Sequence, residues 1–179
     1  TIDIELKSSS LYKLLGEITK DNMDLDKIEN IMKLDAGLMY KFIRFINSAS
    51  NGFVERVSNI KQSIMLIGEY PFRKWILLFF YSDLSGEDNE EYTNKAAIRG
   101  RFCELIMEKI DRSKKNDAFI SGLLLDINLL LGKEIDEILD EIHMSNEVDN
   151  ALRGHSCLIK DVLDLAVNYS EINKKQINN

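Results

Sequence analysis

The sequence predicts an all-α fold, a compact bundle of about nine or ten short helices. Three observations carry that expectation. Apolar residues recur at the helical period in nearly every segment. The 179 residues include one proline and nine glycines, too few breakers for a turn-rich β fold. No segment shows the period-two alternation of a half-buried strand.

The helices follow in order along the chain. Leu11, Leu14, Leu15 and Ile18 form one stripe behind the cap candidates Ser8–Ser10, and Leu25, Ile28 and Met32 form the next. Leu38, Phe42, Phe45, Ile46 and Ala49 line a third, with Asp35 as its expected N-cap and Gly52 as its expected stop. Ser58 or Asn59 can cap a helix through Ile60, Ile64 and Ile67, which Gly68 ends. Pro71 suits the first turn of the following helix, where its missing N–H costs nothing. That helix carries WILLFFY, Trp75–Tyr81, which is apolar around its whole circumference and is expected to be central and buried, Trp75 included. SGEDNEEY, Ser85–Tyr92, is an acidic connection. A long helix with Ile98, Phe102, Leu105 and Ile106 on one face comes next. Asp117 is the expected cap of the helix leading into GLLLDINLLLG, Gly122–Gly132. Ile135, Ile138, Leu139 and Ile142 mark a compact amphipathic helix; Leu158, Val162, Leu165, Ala166 and Tyr169 mark the last. A single domain is expected over 1–169, followed by a fraying tail at 170–179.

Hydrophobic residues make up 45% of the chain and charged residues 30%, an ordinary balance for a folded soluble domain. The net charge of −7 argues against a surface that tracks phosphates, and the RSKK run at Arg112–Lys115 is expected to be a solvated loop. No nucleic-acid partner is therefore expected. The apolar runs Trp75–Tyr81 and Ile120–Leu131 fall short of the ~20 residues that span a bilayer, so no membrane insertion is expected. Cys103 and Cys157 form no CxxC pair and sit in apolar helical patterns, which predicts reduced, unpaired thiols. With no signal peptide visible, a cytoplasmic setting is expected. The chain begins at Thr1 rather than Met, which predicts a piece of a longer protein.

Asp126 poses the functional question. It stands inside a nearly continuous apolar run, and a buried carboxylate is costly without a partner. It could bind a metal, serve in catalysis or be held structurally. The two histidines, His143 and His155, stand in neither HxxxH nor HExxH spacing, and a surface or capping role is expected for both. No Ser sits in GxSxG, no glycine-rich phosphate loop is present, and Cys157 near His155 is not an aligned nucleophile–base pair. These observations favour a structural carboxylate held by Arg, Lys or backbone N–H groups. Arg44, Arg73 and Arg99 are the candidate partners, because each lies within an apolar helix pattern.

Three stretches carry a family resemblance. DAGLMYKFIRFINSASNG, Asp35–Gly52, resembles the HDOD-domain motif through Asp35, Leu38, Arg44, Asn47, Ser48, Ala49 and Gly52. VSNIKQSIMLIGEYPFRKW, Val57–Trp75, is similar through Ile60, Ile64, Ile67, Gly68 and Arg73, with Ser63 where alanine is usual and Ile67 where leucine is. DAFISGLLLDINLLLG, Asp117–Gly132, resembles the third motif. Arg73-Lys74-Trp75, RGRFCELI (Arg99–Ile106) and the helix around Ile135–Ile142 narrow the likeness to HDOD domains that follow an EAL-type cyclic di-GMP phosphodiesterase domain in bacterial proteins. The likeness runs from about Leu11 to Tyr169.

The resemblance implies an HD-like helical fold without the HD superfamily's metal ligands. In that superfamily a His-Asp pair helps hold the cations that activate water. Here Leu125 stands where the histidine would, and Asn128 where a glycine would. Asp126 then remains as the counterpart of the HD aspartate. Asp35, Leu38, Arg44, Asn47, Ser48, Gly52, Gly68, Arg73, Trp75 and Asp126 are expected to be structural: Asn47 and Ser48 satisfy backbone groups near a helix end, and Arg44 braces Asp35 or another carboxylate. The expected role is a non-catalytic regulatory or protein-interaction module in bacterial signal transduction, with no cofactor or metal. Its expected partner is a protein or an adjoining EAL-type domain. Two alternatives stand beside it. A divergent metal phosphohydrolase would bring at least three of Asp126, His143, His155 and Asp35 or similar residues together. A cyclic di-GMP sensor would need paired arginines, and Arg99 and Arg101, two apart, cannot share one helix face.

Overall fold

The structure, a computed structural model, describes residues 13–20, 22–34, 36–48, 57–85, 90–142 and 144–177. It is all-α, with no strand among the described residues. Among the described residues eleven α-helices follow in order: α1 (residues 13–18), α2 (Leu25–Lys33), α3 (Ala36–Ser48), α4 (Ile60–Ile67), α5 (Glu69–Ser85), α6 (Glu90–Ile110), α7 (Lys115–Leu124), α8 (Ile127–Leu131), α9 (Ile135–Glu141), α10 (Asn146–Leu152) and α11 (Leu158–Ile177). They divide into two compact units, Thr1–Asp83 with Glu141–His143, and Leu84–Asp140 with Met144–Asn179.

In the first unit, local chemistry starts and stops the helices much as the sequence predicts. The Asp24 carboxylate accepts from the backbone N–H groups of Asp26 and Lys27 and caps α2. Asn59 caps α4 by accepting from Gln62 N at 2.8 Å, while the Gln62 side chain accepts from Ser58 N. Gly68 ends α4 at φ 84°, a left-handed conformation that a side chain would strain. Pro71 then falls in the first turn of α5. Ser63 is fully buried, and its hydroxyl donates to Asn59 O at 3.0 Å, so the serine is satisfied within its helix. Asp35, Gly52 and Ser8–Ser10 lie outside the described residues.

The core of this unit is aromatic. Phe42 meets Phe72 and Phe79 edge-on, with centroids 6.0 and 5.4 Å apart, and Phe45 meets Trp75 and Phe79. Ile76, Leu77, Phe79, Phe80 and Tyr81 are buried, as expected of WILLFFY. Trp75 and Leu78 are the exceptions: both are only partly buried, and Trp75 packs one side of its ring against Phe45.

The second unit is built on α6 and α7. Gly100 and Gly122 face each other at their crossing. A Cβ on Gly122 would come 2.8 Å from Gly100 Cα and 3.0 Å from Arg99 O, so only glycine allows this approach. Cys103, Met107 and Ala118 pack there with Ala151 of α10 and with Ile159, Val162, Leu163 and Ala166 of α11. Three sequence expectations are corrected in this unit. The buried face of α6 is Ala96, Gly100, Cys103, Glu104 and Met107, whereas Ile98 and Leu105 face solvent. Small residues, not the large apolar stripe, permit the close crossing. Asp117 is not a cap: Lys114 precedes α7, and the Asp117 carboxylate accepts from Ser145 Oγ. Helix α11 continues to Ile177, well into the expected tail. The RSKK segment forms a 3-10 turn into α7, with Lys114 paired to Glu147 and Lys115 to Glu108.

Candidate functional site

Asp126 lies in the two-residue turn between α7 and α8. Its Oδ2 is 2.5 Å from Nη1 of Arg99, which reaches over from α6. The same guanidinium donates through Nε to the carbonyl of Gly122 at 2.6 Å. Gly122 O belongs to the last turn of α7, whose carbonyls have no partner farther along the helix. Arg99 therefore binds a helix end and a carboxylate at once. Of the three candidate arginines, Arg99 is the partner. Despite the apolar run around it, the Asp126 side chain is 42% exposed, against 15% for that of Arg99. The turn lifts Asp126 toward solvent while Leu124 and Ile127 on either side of it are fully buried. The neighbouring Leu125 is partly buried and packs against the α6–α7–α11 core.

Burial also sets the chemistry of Cys103. Its thiol is pushed up to about 12, against the milder opposing pull of the Arg99 cation. Cys103 and Cys157 are both unpaired thiols. His155 is exposed, with Nδ1 3.2 Å from Asn150 Oδ1, and His143 lies outside the described residues. Among the described residues, no three His, Cys, Asp or Glu side chains gather as a metal site would require.

The remaining motif residues belong to the first unit, and two of them, Asn47 and Arg73, hold backbone. Asn47 donates to Val57 O and accepts from Val57 N, both at 2.9 Å, in the manner of a strand neighbour. Arg73 donates from Nη1 to Ile18 O at 2.5 Å and to Lys20 O, fastening the end of α1, and from Nη2 to Glu69. Leu38 is buried, and Ser48 is the last residue of α3. Arg44 is exposed and has no ion-pair partner among the described residues, so the expected brace to a carboxylate is not seen there.

Sequence reasoning missed two other charged centres. The buried Glu17 accepts from Asp24 N and pairs with Lys20 at 2.7 Å. Arg153 pairs with Asp136, Asp140 and Asp149 at 2.9, 2.7 and 3.0 Å, tying α9 to α10. The signals were the i,i+4 spacings Asp136–Asp140 and Asp149–Arg153 and a glutamate inside the Leu14–Ile18 stripe.

Comparison with known proteins now adds to the geometry. The chain is 30% identical over 166 residues to the uncharacterized protein YuxH of Bacillus subtilis, covering 91% of this chain and 41% of that protein. It is 25% identical over 154 residues to the cyclic di-GMP phosphodiesterase CdgJ of Vibrio cholerae, covering 86% of this chain and 36% of that protein. The chain thus spans less than half the length of these curated relatives. No solved structure matches it significantly. No helix among the described residues is long and apolar enough to cross a membrane. Residues 7–153 match the HDOD domain, and the chain belongs to the HDOD family.

Proposed function

We propose that this chain is a non-catalytic regulatory module in cyclic di-GMP signalling, acting on an adjoining EAL-type phosphodiesterase domain. One observation carries the non-catalytic part. The aspartate at the HD position is engaged by the Arg99 guanidinium, a permanent cation, while Leu125 beside it is packed into the core. A dinuclear site needs several lone-pair donors aimed at one point, and a lone carboxylate does not replace an ion's hydration shell. The signalling context is supported by HDOD membership and by the similarity to CdgJ, whose name is that of a cyclic di-GMP phosphodiesterase. The greater length of both relatives leaves room for a catalytic domain beside a segment of this kind. The cyclic di-GMP sensor has less support, since Arg99 is held by Asp126 and Gly122, and Arg101 by Glu104 at 2.6 Å.

The test combines elemental analysis of protein purified without chelator with assays on cyclic di-GMP and a generic phosphodiester in added manganese. The expected result is neither stoichiometric metal nor turnover. Turnover abolished by Asp126→Ala would restore the enzyme reading. Joining the chain to an EAL-type domain is expected to change that domain's rate, and an unchanged rate would count against the regulatory role.

A further inference from the structure

We draw no further inference here: the strongest candidate, the exposed apolar face that Ile98 and Leu105 of α6 form beside Leu165, Tyr169 and Ile172 of α11, carries nothing, because nothing in the structure shows what covers it.

Discussion

Arg73 in the first unit and Arg99 in the second face the same problem and answer it differently. Both donate to carbonyls near a helix C-terminus: Arg73 to Ile18 O and Lys20 O, Arg99 to Gly122 O. Both also pair with a carboxylate. Glu69, which pairs with Arg73, is one turn back on the same helix and exposed, so that pair adds little to a hold already made through carbonyls. The partner of Arg99 is Asp126, on a turn that follows another helix, so that pair ties α6 to the α7–α8 junction. A lone carboxylate inside an apolar run can become a strut when a guanidinium reaches it.

The largest effect is expected from breaking the crossing that seats Arg99. Gly122→Val would push a branched side chain into backbone that cannot swing aside, and is expected to cost about 3 kcal/mol in denaturant unfolding. A cost near zero would mean that α6 and α7 part easily and that Arg99 is not held by their packing. Next, Arg73→Ala is expected to cost about 2 kcal/mol, since it strips charge-assisted donors from carbonyls at the end of α1. Glu69→Ala should cost far less, and equal losses for the two variants would show that the ion pair, not the carbonyl contact, is what matters.

A third effect is confined to alkaline pH. The Cys103 thiol is raised from 9.0 to about 12 in the folded protein, chiefly by burial. Below pH 9 it is protonated in both states and contributes no pH dependence. Above that, the unfolded chain releases the proton and the folded chain keeps it, so stability falls as pH rises. Cys103→Ala is expected to flatten that alkaline decline in a series of denaturant midpoints. An identical decline in the variant would show that the thiol ionises freely in the fold.

Local rules were legible in the sequence; choices among faces were not. Asn59, Gly68 and Pro71 act where expected because capping and φ preferences are properties of a few adjacent residues. Ile98 and Leu105 were legible as members of one face with Phe102 and Ile106, yet the face that α6 buries carries Ala96, Gly100 and Cys103. Periodicity finds a helix, but it does not reveal that two glycines will meet across a crossing. Asp117 resembled an N-cap by type and position, but its partner, Ser145, is 28 residues away. For Asp126, the type of partner and three candidates were legible; the choice of Arg99 required knowing that Gly100 brings α6 onto α7. Its exposure was not legible either, since apolar residues on both sides mask a two-residue turn.

The central claim is that Asp126 serves as a structural strut through Arg99. The most direct measurement is a double-mutant cycle with Arg99→Met, Asp126→Asn and both changes together, read by denaturant unfolding. A coupling of about 1 kcal/mol is expected, moderated by the exposure of the carboxylate. Strictly additive losses, with a coupling near zero, would contradict the account.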